Sequence, residues 1–211
     1  MQIVSVNVGL PRIITWRGDE IETGIFKEPV EGRRIVRRLN LDGDRQADLT
    51  VHGGPNKAVY AYPIEHYAFW RDFLKREDLP PGSLGENLTT EGLTEETLHI
   101  GDRLEIGTTE LVVVQPRQPC FKLAAKFART DIVRRMLESG YSGFYLAVRR
   151  EGEVGQGDTI RVIERDPHQV KVADLNRLYH GKTVDIALMQ RAVQVEALPE
   201  EWRAALRERL A

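Results

Sequence analysis

At 211 residues, with 41% hydrophobic and 29% charged side chains, the chain has an ordinary globular balance and enough length to bury a core without covalent staples. A formal net charge of -2 argues against a dedicated nucleic-acid binder, which carries a marked basic excess. A single cysteine rules out an intramolecular disulfide, and with it a secreted disulfide scaffold, and points to a reducing compartment.

The N-terminal Met1 to Ser5 has neither the basic region nor the apolar run of a signal peptide. The densest apolar run, Leu111 to Val114, is strand-sized rather than membrane-spanning. The expectation is a cytoplasmic chain with no membrane partner. The first two-thirds predict mostly strands: Ile3 to Val8, Arg12 to Trp16, Arg33 to Leu41, Lys57 to Tyr62, Arg103 to Ile106, Glu110 to Gln115, Phe144 to Arg149 and Thr159 to Arg165. Each is short, rich in β-branched residues or alternating, and bounded by turn formers. Gly107 to Thr109 suits a hairpin connection. Gly101 to Ile106 echoes Gly157 to Val162, as in a barrel whose strands start from similar turns.

Helices interrupt this pattern. Pro63 to Arg76 opens on proline, a good first helical residue. Phe121 to Phe127 and Thr130 to Ser139 form a pair, the second capped by Thr130 or Asp131 and ended by Gly140. After Asp166-Pro167-His168 the chain turns helical: Val172 to His180, stopping at Gly181, then Thr183 to Val195, then Pro199 to Leu210. The domains read as 1–165 and a three-helix unit over 166–211. A helix-turn-helix DNA reader is the sharper reading of that unit. Its balanced charge favours a protein-contact or lid module.

Four features bear chemistry. Cys120 follows Pro116-Arg117-Gln118-Pro119, a stiff loop, and opens the next helix. Arg117, Lys122 and the helix terminus all favour thiolate, the form that binds metals. A small buried hydrophobe is the bland alternative. His52-Gly53-Gly54 exposes backbone amides, and Lys57 adds a point charge for an anion. A polar turn with a surface histidine fits equally, and no G-x-S-x-G elbow supports a hydrolase. Asn87, in Gly85-Glu86-Asn87-Leu88, can donate to and accept from a heterocycle, or hold a turn. Finally, Lys27, Arg33, Arg34, Arg37 and Arg38 form a basic run, either lining an anion site or solvating an edge. His52, His66, His99, His168 and His180 show no paired ligand spacing.

The order of Gly24 to Val30, Asp48 to Lys57 with its His-Gly-Gly, Ala58 to Pro63, Gly85 to Leu88, Ile100 to Asp102 and Gln115 to Cys120 resembles the YiiM-like branch of MOSC proteins, over nearly the whole chain. MOSC is named for the C-terminal domain of molybdenum cofactor sulfurase. The resemblance implies a mainly β fold with α, a closed, MOSC-type β-barrel plus the small C-terminal helical domain. It implies the molybdenum cofactor, a molybdopterin, with Cys120 as metal ligand and catalytic centre. It implies reduction of small N-hydroxylated substrates, purine bases among them, to amines. Lys27, Lys57 and Arg117 would meet the pterin phosphate, with Asn87, His52, Gly53 and Gly54 around the pterin. The aromatics from Tyr60 to Trp70 would wall a pocket or pack a core. With no flavin or iron–sulfur motif, electrons would come from a separate reductase. A sulfur-carrier role through a Cys120 persulfide and a non-enzymatic binding module, including a pyridoxal-phosphate variant on Lys27 or Lys57, stay open. So does the oligomeric state, a homodimer included.

Overall fold

The computed structural model describes residues 1–180 and 184–211. In chain order the strands are β1 (Gln2–Val8), β2 (Arg12–Trp16), β3 (Asp19–Thr23), β4 (Glu28–Pro29), β5 (Arg34–Val36), β6 (Val59–Pro63), β7 (Leu88–Glu91), β8 (Arg103–Ile106), β9 (Thr109–Pro116), β10 (Phe144–Arg150), β11 (Gly152–Val154) and β12 (Ile160–Glu164). The helices are α1 (Tyr67–Leu74), α2 (Phe121–Phe127), α3 (Ile132–Ser139), α4 (Val172–His180), α5 (Ile186–Gln194) and α6 (Glu200–Leu210). Eight strands form one sheet in the order β12-β8-β9-β10-β6-β7-β1-β4. Its pairs are antiparallel except β6 with β7.

The expected closed barrel is not what forms. β12 and β4 stand at the two ends of the sheet, and two further two-stranded sheets, β11-β5 and β2-β3, lie apart from it. An isolated bridge between Gln2 and Thr159 and backbone bonds such as Ile3 N–H to Asp158 O (2.9 Å) bring β1 near β12, but no continuous ladder seals them. The architecture is mixed α/β, with six helices beside the strands. Helices α4 to α6 join the sheet's own core: Leu175, Leu178, Leu188, Met189, Trp202 and Leu206 pack into one apolar cluster with Leu104, Leu111, Val113, Phe144 and Leu146.

Local chemistry explains the elements. Leu111 to Val114 are all buried within β9, as a continuous apolar run requires of a covered strand. The β8–β9 hairpin turns at Gly107, whose φ is +57° and where a Cβ would meet Glu153 O at 2.2 Å, so glycine is needed there. Pro63 ends β6 rather than opening a helix, and a 3-10 turn over Ile64–His66 intervenes before α1. The expected strand over Arg33 to Leu41 shrinks to β5, because its partner β11 offers three residues. Asp131 sits at the N-cap of α3 without capping it. Its carboxylate takes the Arg129 guanidinium at 2.7 and 3.0 Å instead. Gly140 ends α3 in the left-handed region at φ 72°. Asp185 caps α5 by accepting from Leu188 N–H at 2.9 Å. The expected stop at Gly181 and start at Thr183 lie outside the described residues.

A second apolar cluster gathers Tyr60, Tyr62, Tyr67, Trp70, Leu123, Phe127 and Met136 between the sheet and α1 to α3. Tyr62, Tyr67 and Trp70 are fully buried there, so these aromatics are core. Among the described residues no helix is long and apolar enough to cross a membrane.

Candidate functional site

β9 ends at Pro116, and its antiparallel partner β10 sets Tyr145 opposite Gln115. The next residues, Arg117 to Cys120, carry the chain from the sheet into α2. Arg117 N–H is tied to Gly143 O at 3.2 Å. Cys120 occupies the N-cap of α2 in an extended conformation, half-buried.

Two cavities meet at this cysteine. The inner one, about 80 Å³, is lined by Lys27, Asp44, His52, Lys57, Tyr60, Asn87, Arg117, Lys122 and Tyr145, with Thr23–Ile25 and Arg45–Ala47 at its rim. The outer one, about 410 Å³, shares His52, Lys57, Cys120 and Tyr145, and continues to Tyr179 and Trp202 on α4 and α6.

The electrostatics of the inner cavity are cationic. Arg117 is buried, its guanidinium 5.2 Å from the Tyr60 ring centroid and 3.3 Å from Met136 Sδ. Among the described residues no carboxylate lies within 4.0 Å of Arg117, Lys57 or Lys122. Among the described residues Lys57 Nζ donates to Val51 O alone, at 2.9 Å. Burial alone pushes the Cys120 thiol up. Its His52 neighbour, the Arg117 charge and the Lys122 backbone N–H outweigh that and hold it at about 7. His52 Nδ1 is buried and unpartnered among the described residues. A buried, unmet cation beside an unmet polar nitrogen is costly unless something anionic or polar completes it.

Six of the eight residues singled out from the sequence therefore face one cavity. Gly53 and Gly54 do not line it. Gly53 packs against Leu49, where a Cβ would come within 2.9 Å, and Gly54 O accepts Lys57 N–H at 3.0 Å. Lys27 is engaged in a buried ion pair with Asp44, and burial lowers its pKa against that pairing. Asn87 spends its amide on the fold: Oδ1 accepts Tyr60 N–H at 3.1 Å and Nδ2 donates to Asp44 Oδ2 at 2.9 Å. Its neighbour Glu86 is fully buried and gathers Gly82 N–H (2.8 Å), Leu84 N–H (3.1 Å), the Thr89 hydroxyl (2.8 Å) and the Tyr67 hydroxyl. The Gly85 to Leu88 motif is thus a loop-folding device at the cavity wall.

Of the basic run, Lys27 lines the cavity, while Arg33, Arg34, Arg37 and Arg38, on and around β5, do not. Arg33 meets Asp158, Arg37 meets Asp42, and Arg38 donates to Val148 O at 3.3 Å. Of the aromatics offered from Tyr60 to Trp70 as pocket wall or core, Tyr60 lines the cavity; sequence reasoning did not single out Tyr145 and Arg45 as cavity residues, and named Lys122 only for its effect on the thiol. Their arrival depends on strand pairing across dozens of residues, and no local motif signals it. Lys126, behind the site, donates to Ile25 O (3.0 Å) and Gly82 O (3.1 Å). Burial lowers its pKa to about 8. Among the described residues no three His, Cys, Asp or Glu side chains gather as a metal cage. A metal at Cys120 would take its other ligands from a bound group.

The sheet, the cysteine loop and the appended helices define a class, and comparison with known proteins identifies it. The chain belongs to the MOSC domain family, whose model matches residues 48–161, and residues 172–211 match the YiiM-like 3-alpha helix domain. YflK of Bacillus subtilis (strain 168) is 42% identical over 203 residues, covering 96% of this chain and 91% of that protein. The crystal structure of YiiM from Geobacillus stearothermophilus superposes with a TM-score of 0.83 at 34% identity, covering 100% of this chain and 99% of that one. A protein named "Reductase" from Gibberella moniliformis (strain M3125 / FGSC 7600) is 31% identical over 186 residues, 84% of this chain but 32% of that protein.

Proposed function

We propose that this chain is a molybdenum-cofactor-dependent reductase that converts small N-hydroxylated compounds to amines. The observation that carries the reading is the placing of Cys120 where the two cavities meet, with the buried, carboxylate-free Arg117 in the same lining. The family's name links it to the molybdenum cofactor, and one distant relative is named a reductase.

The residues fit such a cofactor. Thiolate is a soft ligand suited to molybdenum in a sulfur-rich shell. Arg117, Lys57 and Lys122 offer positive charge for a phosphate, and the small inner volume suits that end of the cofactor rather than all of it. Lys27, paired with Asp44, shapes the wall. When bound, the cofactor supplies two-electron oxygen-atom transfer.

The reaction balances as R–NHOH plus two electrons and two protons giving R–NH2 and water, with the N–O bond broken and the electrons drawn from a separate reductase protein. Cys120 Sγ would hold the metal. His52, which lines both cavities, supplies a proton from its unpartnered nitrogen to the departing oxygen. Tyr60 and Tyr145 exclude water around Arg117 and keep its charge effective.

The test is metal content. The chain made in a cofactor-competent host should carry roughly stoichiometric molybdenum, falling at least ~10-fold in Cys120→Ala, with reduction of an N-hydroxylated base lost in parallel. Equal molybdenum in both proteins rejects the ligand role. The same thiolate would serve a sulfur carrier. That reading predicts a persulfide at Cys120 by mass spectrometry after exposure to a polysulfide, whose terminal sulfane sulfur passes to the thiolate and leaves the donor one sulfur shorter, with no retained metal.

A further inference from the structure

The loop over residues 140–143 joins α3 to β10 and touches two cavities. Its carbonyls serve residues of the inner one. Gly143 O accepts Arg117 N–H at 3.2 Å, and Ser142 O accepts the Tyr60 hydroxyl at 2.7 Å. Gly143 then leads into β10, which carries Tyr145. The loop's other contacts belong to a third cavity of about 400 Å³, whose lining holds Gly140 and Tyr141 together with His66, Glu95, Glu138 and Asn176. Cys120 does not line that cavity, and the reductase reading leaves it unused.

Glu95 is what fixes the loop from that side. It is buried, and its two carboxyl oxygens take different partners. Oε1 accepts Gly143 N–H at 2.6 Å, and Oε2 meets His66 Nε2 at 2.7 Å. The His66 ring in turn stacks on Tyr141, 3.9 Å between centroids and 11° from parallel. From α4, Ala173 N–H donates to Glu95 O at 3.0 Å, and Asn176 Nδ2 donates to Ser142 Oγ at 2.9 Å. A buried N–H left unmet is costly, so the carboxylate favours the loop geometry that points Gly143 N–H at it. Gly143 has φ +67°, and a Cβ there would meet Ala61 O at 2.5 Å. Its backbone is pressed that closely against β6, so fixing its N–H also aims its C=O at Arg117.

We propose that Glu95 is a positioning residue for the cationic seat beside Cys120: through Gly143 and Ser142 it holds Arg117 and Tyr60 in register, and His66 holds Glu95. The inference rests on the reductase reading only for what fills the seat. The linkage it describes involves the protein alone. It gives the third cavity's buried carboxylate a task at a site it does not touch.

The experiment follows the Arg117 Nε–H signal by nuclear magnetic resonance in the full chain made in a host lacking the cofactor, the signal being assigned by its loss in Arg117→Lys. Held beside the Tyr60 ring, that proton should exchange slowly with water and carry a ring-shifted resonance. Glu95→Ala should speed the exchange at least about tenfold and move the resonance. Glu95→Gln, whose amide oxygen still accepts Gly143 N–H, should restore both. Glu138→Ala, which removes a carboxylate of the same cavity that pairs with Arg134, should leave both unmoved. Circular dichroism checks that each variant is folded. Should Glu95→Ala not fold, His66→Phe carries the test: it keeps a ring against Tyr141, removes the bond to Glu95, and should speed the exchange about threefold. Arg117 exchange and resonance unchanged in the folded variant, or disturbed as much in Glu95→Gln as in Glu95→Ala, overturn the proposal. Because this signal needs no molybdenum, failure here is distinct from equal molybdenum in Cys120→Ala, which would sink the ligand role alone.

Discussion

Arg33 and Arg37 stand at the surface with their charges met: Arg33 reaches Asp158 at 2.8 and 3.0 Å, and Arg37 reaches Asp42 at 2.9 and 3.0 Å. Arg117 is buried against Tyr60, Tyr145 and Met136 with no carboxylate in reach among the described residues. The same side chain means different things in the two places. A bidentate surface pair is a solvated edge feature of small energetic weight. A dehydrated, unmet guanidinium is a cost the fold carries, which makes sense when an anion later completes it.

The sharpest way to break this contrast is Arg117→Met. With the uncompensated charge gone, the cofactor-free chain should gain about 1 kcal/mol of stability in urea unfolding, while molybdenum content falls at least ~10-fold. A large loss of stability instead would make Arg117 a structural cation like any other. The next effect lies at the thiol. Thiolate is the reactive form, so alkylation of Cys120 in the cofactor-free chain should rise through a midpoint at about 7. In His52→Ala the midpoint should climb toward the ordinary ~8.5, so that alkylation at neutral pH slows by up to about tenfold. An unmoved midpoint would show that His52 does not support the thiolate. The smallest effect belongs to the other side of the contrast. Arg33→Ala and Arg37→Ala should keep the melting temperature within ~2 °C and leave molybdenum content unchanged. Loss of metal in either would erase the distinction between the two regions.

The parts of the fold legible in the sequence are those where local pattern and burial agree. β2 runs over the expected Arg12 to Trp16, α2 over Phe121 to Phe127, and the expected Glu110 to Gln115 strand forms β9, one residue longer at each end. β3 was illegible because Ile21 is the one apolar residue of Asp19 to Thr23, which pairs residue by residue with β2 in a mostly exposed hairpin and leaves no alternation to read. β7 was hidden for the opposite reason. Leu88 to Thr90 are buried between β6 and β1, and two of those three residues are threonines. Closure of the sheet was misjudged because similar turns before two strands say nothing about whether their far edges meet. At the site, Cys120 and His52 stood out by residue type and loop composition. The neutralisation of Lys27 could not be seen, since Asp44 reaches it only through the folded wall.

That wall has an implication for the order of assembly. Asp44 draws together Gly9 N–H, the Lys27 ammonium and the Asn87 amide, which lie 35, 17 and 43 residues from it along the chain. Contacts so distant in sequence close late, after nearer ones have formed. The wall of the seat beside Cys120 therefore depends on closing three long loops, and no single local segment of the chain forms it.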